Sequence, residues 1–138
     1  MDSLLDKGIH LAPHIEEAGP REESSIQWVS CVIRPEKLDD VKNALNGLNL
    51  VGGMTVADVR GFGRQKGQLE HYRGGEILIR FLDKVRLDLV VSKDDVEEVI
   101  KVIREKAQTG SVGDGKVFVT DVQTVLRIRT GEMGMSAL

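Results

Sequence analysis

Cysteine, proline and aromatic residues are scarce in this chain of 138 residues, and long apolar runs are absent. The single cysteine, Cys31, excludes an internal disulfide framework and fits a reducing, cytoplasmic compartment. No apolar run approaches the roughly 20 residues that cross a bilayer, and residues 1–25 lack the regions of a signal peptide, so we expect no membrane insertion. The net charge of −3 disfavours a general attraction to nucleic acid, so any anion site must be local.

Glycine is the residue type in excess. The chain has fifteen glycines, where average usage predicts about ten. Without a short repeat or proline enrichment, they indicate neither collagen nor low complexity, so we expect them at defined positions in turns and loops. The length and the apolar fraction of 41% predict one domain with one core.

Residues 1–25 predict a mobile N-terminal extension. They hold two of the three prolines, two of the three histidines and several acids, without sustained periodicity. His10 and His14 have a spacing that could grip a metal, but Pro13 lies between them and no further ligand is near. A solvated tail is therefore the preferred interpretation of this segment.

From Ile26 onward, the order strand, helix, strand occurs twice. The first unit comprises a strand in SIQWVSCVIR, a helical face of Leu38, Val41, Leu45 and Leu48, and a strand in GGMTVADVRGF. A polar, glycine-rich stretch over 63–75 predicts a long functional or disordered loop. The second unit comprises strands in ILIRFL and VRLDLVVS, a helix in KDDVEEVIKVIREKAQ with Ser92 and Asp95 as a capping pair, and strands in KVFVTDV and VLRIRT.

This order predicts an α+β fold, the ferredoxin-like split βαβ sandwich (βαββαβ), with both helices on one face of a single sheet. The other sheet face would be apolar and uncovered. Self-association would bury it, and a half-solvated antiparallel sheet is the alternative. We assign Trp28 and Phe118 to the core.

The segment GSVGDGK at 110–116 satisfies the first seven positions of a Walker A loop. Val117 stands where a Ser or Thr would bind magnesium, and a helix precedes the loop where a strand should, so a P-loop NTPase is disfavoured. Closely spaced glycines can still cradle an anion with their backbone N–H groups, and Lys116 adds a point charge. The alternative is a tight helix-to-strand connection with a C-cap glycine.

Two further elements combine with this turn. The segment GFGRQKG at 61–67 misses the dinucleotide fingerprint but joins flexible backbone to Arg64 and Lys66. Arg127 and Arg129 lie two apart in a predicted strand, so they would point to one face and suit bidentate phosphate contacts. The three elements together favour a nucleotide polyphosphate as ligand.

The runs GFGRQKG, GDGK and RIRTGE, together with RPEKLDDVKNAL, YRGGE and AQTG, stand in the order and spacing of a known family. Over residues 26–138 the chain resembles the PII signalling proteins, which report nitrogen and energy status. The resemblance implies a homotrimer of ferredoxin-like subunits with the sheets packed inward, and a T-loop over about 63–77. It also implies ATP or ADP in clefts between subunits, 2-oxoglutarate bound through a bridging Mg²⁺, and docking of the T-loop on a protein target, most commonly an ammonium transporter.

The resemblance also implies site residues, carried over by position. The implied nucleotide-binding residues are Thr55, Gly63, Arg64, Gln65, Gly113, Asp114, Gly115, Lys116, Arg127 and Arg129, the two arginines reaching in from the adjoining subunit. The implied 2-oxoglutarate-binding residues are Gln65, Lys66, Gly67 and Lys84. The side-chain oxygen of Gln65 would also bind the magnesium ion.

The chain departs from the family at the usual modification sites. Ile77 stands where many bacterial relatives carry a uridylylated tyrosine, and Gly75 stands where cyanobacterial relatives carry a phosphorylated serine. Tyr72 matches a different family tyrosine. We therefore expect ligand binding, rather than covalent modification, to control the T-loop.

Other departures concern target recognition. Arg80 and Asp83 replace an Asp and a Pro of many relatives, and one residue is inserted around 49–52. The chain ends GEMGMSAL, without the segment with which plant relatives sense glutamine.

The sequence gives little support for an enzyme. It contains no recognisable pairing of a catalytic nucleophile with a base, and His71 is the one histidine beyond residue 25. We expect a regulatory protein without enzymatic activity. The alternative is a slow ATPase or phosphoryl-transfer enzyme that uses the same cleft. A third interpretation, a trimeric metal-tolerance protein of similar fold, has too few ligands in Cys31 and His71.

Overall fold

The computed structural model describes residues 24–50, 52–62, 69–71, 77–79 and 81–138. The predicted extension lies outside these residues except for Ser24 and Ser25, which are already bound to the domain. The Ser24 hydroxyl donates to the Val122 carbonyl at 2.8 Å, and the Lys93 N–H donates to the Ser25 carbonyl at 2.9 Å. Ser24 and Ser25 therefore belong to the folded domain rather than to the predicted extension.

The described residues form six strands and two α-helices. In chain order they are β1 (Ile26–Ile33), α1 (Leu38–Asn46), β2 (Met54–Gly61), β3 (Leu69–His71), β4 (Ile77–Ile79), β5 (Leu82–Ser92), α2 (Val96–Ala107) and β6 (Gly115–Asp121). The main sheet has the order β2-β5-β1-β6, and its neighbouring strands are all antiparallel. This arrangement confirms the predicted ferredoxin-like βαββαβ fold.

The core lies between one face of the sheet and both helices. Strand positions alternate, so that every second residue of β1 and β5 points to the helices. The helices contribute the faces that their periodicity predicts. The buried cluster consists of Val29, Cys31, Ile33, Val41, Leu45, Val85, Leu87, Leu89, Val91, Val99, Ile103 and Ala107.

The two helices begin in the same way. Each follows a 3₁₀ turn, Pro35–Lys37 or Lys93–Asp95, and the residue before each turn is extended. Acidic residues occupy the first turn of each helix, where they favour the helix dipole. The Ser92 hydroxyl caps by accepting from the backbone N–H of Asp94 at 3.3 Å. The predicted partnership of Ser92 with Asp95 is therefore wrong by one residue.

None of the described elements covers the sheet face opposite the helices. Trp28 and Phe118 lie on it and are 44% and 54% exposed. Their assignment to the core is wrong for one subunit, because they alternate with the residues that point to the helices. The open face also carries an ion pair between Arg86 Nε and Asp88 Oδ2 at 3.0 Å.

The predicted C-terminal strand VLRIRT is also wrong. Leu126 makes an isolated bridge to Met133, and the backbone N–H of Arg127 donates to the Glu132 carbonyl at 2.9 Å. Gly131 and Gly134 have φ of 73° and 70°, which lets the chain reverse and pair with itself. Arg127 and Arg129 consequently do not share a strand face.

The long glycine-rich loop contains regular structure. Strand β3 pairs with β4 in a separate two-stranded sheet, with Glu70 opposite Leu78. The predicted strand ILIRFL is thus divided, since Ile77–Ile79 belongs to this hairpin and β5 begins at Leu82. Tyr72, Gly75 and Arg80 lie outside the described residues.

Candidate functional sites

The turn between α2 and β6 is organised around Asp114. Its carboxylate accepts hydrogen bonds from the Thr109 hydroxyl, from the Thr109 N–H at 2.7 Å and from the Gly110 N–H at 2.9 Å. These bonds, the one from the Thr109 side chain foremost, hold the pKa of Asp114 well below its usual range. Asp114 therefore stays ionised and joins the start of the turn to its end.

Two glycines determine the backbone path of this turn. Gly113 and Gly115 both have φ of 104°, a region that other residues rarely adopt. A Cβ atom at Gly115 would lie 1.7 Å from the Val32 carbonyl oxygen. The turn can therefore pass this close to β1 only with glycine at position 115.

Two cationic side chains, Arg34 and Lys84, bind the turn from other elements of the chain. The Arg34 guanidinium binds Asp114 Oδ1 through Nε at 3.1 Å and the Val112 carbonyl through Nη2 at 2.9 Å. The Lys84 ammonium donates to the Gly113 carbonyl at 2.6 Å. Burial lowers the pKa of Lys84, and the nearby Arg34 charge lowers it further. Sequence reasoning missed Arg34, because 80 residues separate it from Asp114.

The turn forms one wall of a cleft of about 720 Å³, which we call the turn cleft. It brings together the predicted residues Gly113, Asp114, Gly115, Lys116 and Lys84, and its other walls are largely apolar. Backbone N–H groups and lysines beside apolar walls suit an anionic ligand with an apolar part. The residues lining the turn cleft are Val32, Gly61, Phe62, Lys84, Ser111, Val112, Gly113, Asp114, Gly115, Lys116 and Phe118.

A second cleft of about 550 Å³, which we call the Arg127 cleft, contains Thr55, Asp88 and Arg127. Thr55 lies opposite Asp88 in the β2–β5 register. The Arg127 guanidinium binds Glu132 Oε1 at 3.3 Å and the Leu138 carbonyl oxygen at 2.6 Å. Asp88 Oδ1 is buried without a hydrogen-bond partner among the described residues. Sequence reasoning missed Asp88, which it included only in the predicted strand VRLDLVVS.

The described residues of the predicted site lie in two clefts of the chain. Thr55 and Arg127 line one cleft, whereas Lys84 and Lys116 line the other, and the two clefts share no lining residue. Arg129 is exposed in the turn that follows Arg127. The predicted residues Gly63, Arg64, Gln65, Lys66 and Gly67 lie outside the part of the chain that the structure describes.

Among the described residues, no group of three or more His, Cys, Asp or Glu side chains is placed to hold a metal ion. Cys31 is buried in the core, and this burial raises the pKa of its thiol to about 11. The thiol is thus a small apolar side chain rather than a metal ligand. None of the described helices is long and apolar enough to span a membrane.

A family model for the nitrogen regulatory protein P-II matches residues 26–132. The chain belongs to the P-II family. It is 51% identical over 110 residues to the nitrogen regulatory protein P-II of Pasteurella multocida, a match that covers 80% of this chain and 97% of that protein. It is 48% identical over 113 residues to the nitrogen regulatory protein GlnK of Escherichia coli K12, covering 82% of this chain and 100% of that protein.

A solved structure supports the same assignment. The structure of Arabidopsis thaliana PII bound to citrate matches with a TM-score of 0.68 and 40% identity, over 83% of this chain and 91% of that chain. The resemblance to PII signalling proteins is thereby confirmed, and the chain is a signalling protein of nitrogen regulation. The P-II proteins that it matches are named as regulators.

Proposed function

We propose that this P-II protein senses ATP or ADP, together with 2-oxoglutarate and Mg²⁺, in clefts between the subunits of a homotrimer. Ligands would favour one conformation of the T-loop, and that conformation would fit a protein target, with an ammonium transporter as the first candidate. The observation that carries the proposal is the division of the predicted nucleotide residues between two separate clefts of one chain.

The two clefts have complementary chemistry. The turn cleft offers the glycine backbone of the turn, Lys84 and Lys116, which suit a polyphosphate. The Arg127 cleft offers the Thr55 hydroxyl, the Asp88 carboxylate and a guanidinium. A nucleotide needs both kinds of wall, and joining the Arg127 cleft of one subunit to the turn cleft of its neighbour supplies both.

Exposed apolar side chains support the trimer. Besides Trp28 and Phe118 on the open face, Ile128 is 94% exposed and Leu126 and Met133 are 53% and 57% exposed. Apolar surface on this scale in a small domain is typical of a protein interface. Ile128 lies between Arg127 and Arg129, so an interface at Ile128 would carry both arginines to the neighbouring subunit.

We assign no magnesium contact to the described residues of the turn cleft. Asp114, the carboxylate of the turn cleft, is already bound by four donors: Arg34 Nε, the Thr109 hydroxyl, and the N–H groups of Thr109 and Gly110. Magnesium often takes one or two protein oxygens and completes its shell with phosphate oxygens and water. Gln65 with ligand oxygens is therefore a sufficient donor set, and the ion would supply the charge that joins 2-oxoglutarate to the phosphates.

We propose that the protein works in the cytoplasm as a regulator without enzymatic activity. A slow ATPase would need a group that activates water or a hydroxyl. Among the described lining residues, the joined clefts hold two carboxylates. Asp114 is unsuitable as a base because of its low pKa and four bound donors, and Asp88 is paired with Arg86 through Oδ2 at 3.0 Å. Sustained ATP turnover would favour the enzyme alternative.

Calorimetric titration tests the proposal. The purified protein is titrated with ATP and with ADP, and then with 2-oxoglutarate in the presence of ATP and Mg²⁺. Saturable binding of nucleotide, and binding of 2-oxoglutarate that requires both ATP and Mg²⁺, is the expected result. Absence of nucleotide binding at millimolar concentration would contradict the proposal.

A further inference from the structure

Arg34 ties the phosphate-cradling turn to the sheet without lining the cleft. It follows β1 directly, and its backbone is extended, with φ −64° and ψ 140°, as expected before a proline. Its side chain is 17% exposed and reaches the turn between α2 and β6. Arg34 is not among the residues that line the turn cleft.

The two contacts of Arg34 fix different parts of the turn. Nε holds the Asp114 carboxylate at 3.1 Å and Nη2 holds the Val112 carbonyl at 2.9 Å. A planar guanidinium can satisfy two such acceptors at once, whereas a lysine ammonium is a point charge without this geometry. Because Val112 and Asp114 flank Gly113, the pair of contacts sets the direction of the backbone between them.

Arg34 also offsets a charge that opposes anion binding. Asp114 stays ionised and lies within the turn whose N–H groups would meet phosphate. An uncompensated carboxylate there would repel a polyphosphate, and the repulsion would be strong at short range. The Arg34 guanidinium pairs with this carboxylate through Nε at 3.1 Å, and Arg34 itself does not line the cleft.

We infer that Arg34 is a positioning residue for the polyphosphate of the nucleotide: it orients the turn and neutralises Asp114 without touching the ligand. The inference rests on the proposed nucleotide site. It assigns part of the affinity of the turn for phosphates to a residue that binds the turn and does not line the cleft.

Variants of Arg34 test this role. Arg34→Met keeps most of the side-chain volume and removes both contacts, and Arg34→Lys keeps only the charge. Arg104→Met is the matched control, since Arg104 is exposed on α2. Titration of ATP should show a loss of affinity of about ten- to a hundredfold for Arg34→Met, an intermediate loss for Arg34→Lys and none for Arg104→Met.

Adenosine separates positioning from general damage to the fold. It carries no phosphate, so its affinity should be the same in the wild type and in the Arg34 variants. Equal losses for adenosine and ATP would overturn the inference. If Arg34→Met does not fold, Arg34→Lys decides by the same comparison.

A double variant separates an indirect role from direct contact. In Arg34→Met with Asp114→Asn, the unpaired carboxylate is gone, so the loss of ATP affinity should be smaller than the sum of the two single losses. Additive losses would indicate that Arg34 binds phosphate itself and would overturn the inference. Failure of the wild type to bind ATP would overturn the proposed function as well, whereas ATP binding unaffected by Arg34→Met would overturn this inference alone.

Discussion

Trp28 on β1 and Phe118 on β6 are diagonal neighbours on the open face of the sheet. Trp28 pairs with Thr120 and Phe118 pairs with Ser30 in the β1–β6 register, so both rings point away from the helices. They are 44% and 54% exposed in the single chain. Two neighbouring aromatic rings at this exposure form an apolar patch that assembly would bury.

Ile128→Asp should dissociate the assembly without unfolding the subunit. Ile128 is 94% exposed in the single chain, so the substitution removes almost no packing within it. A buried charge at a subunit interface is costly. Sedimentation should show a trimer for the wild type and a monomer for the variant, and the emission of Trp28, the only tryptophan, should shift to the red. Gln123→Asp, at an exposed position, is the control, and a trimeric Ile128→Asp would contradict the proposed interface.

Gly115→Ala and Gly110→Ala form a matched pair. Both positions have positive φ, 104° and 88°, so both substitutions carry a similar backbone strain. Only at Gly115 would the new Cβ meet an atom, the Val32 carbonyl oxygen at 1.7 Å. We expect Gly110→Ala to lower the free energy of unfolding by about 1–2 kcal/mol and Gly115→Ala by clearly more. Urea unfolding measures both, and equal losses would refute the close approach of the turn to β1.

The fold and the separate site elements could be predicted because local signals carry them. Helical spacing predicted α1 and α2, alternation predicted β2, and strand-type composition predicted β1, β5 and β6. The three-residue strand β3 was missed because it is too short to show a period, and β4 was predicted only as part of the longer strand ILIRFL. The C-terminal strand was predicted from its composition. In the structure the chain reverses at Gly131 and Gly134, and composition does not reveal which residues of this segment pair with each other.

Long-range partners were the other limit of prediction. Arg34 looked like the end of a strand, and its role depends on Asp114, which lies 80 residues away. Asp88 was predicted only as part of the strand VRLDLVVS, yet its Oδ1 is buried without a hydrogen-bond partner among the described residues. Both residues acquire their importance from elements that fold against them, so a single sequence carries no local signal for either.

Thr109→Val should make the free energy of unfolding less sensitive to low pH. The low pKa of Asp114 means that this carboxylate stabilises the fold above its unfolded pKa of about 4, and that the contribution is lost as pH falls through the lower folded value. The Thr109 hydroxyl bond is the largest cause of the shift, so its removal raises the pKa of Asp114 and flattens the decline below about pH 4. Urea unfolding from pH 7 to pH 2 checks this, with exposed Thr124→Val as control. If the free energy of unfolding declines equally in Thr109→Val and Thr124→Val below about pH 4, the role of the Thr109 hydroxyl is contradicted.

Lys84→Met should affect 2-oxoglutarate more than ATP. Lys84 lies in the turn cleft, and its ammonium donates to the Gly113 carbonyl at 2.6 Å. Loss of a charge-assisted contact to a ligand carboxylate should cost about 1.5–3 kcal/mol of 2-oxoglutarate binding, while ATP loses only the support that Lys84 gives the turn. Calorimetry with each ligand measures the two losses, and exposed Lys101→Met is the control. An unchanged affinity for 2-oxoglutarate would remove Lys84 from its site.

Complementation between subunits tests most directly whether the nucleotide site spans two chains. Lys116→Ala damages the turn cleft and Arg129→Ala damages the arginine side, and both side chains are exposed, so both variants should fold. Each variant alone should bind ATP at least about tenfold more weakly than the wild type.

The decisive measurement is ATP binding by a mixture of the two variants that has been dissociated and reassembled. Random assembly of equal amounts places both cations at about one site in four. If the site lies between subunits, a fraction of sites near that value should bind ATP with wild-type affinity. If the mixture binds ATP no better than the separate variants, the site lies within one chain and the proposed intersubunit cleft is refuted.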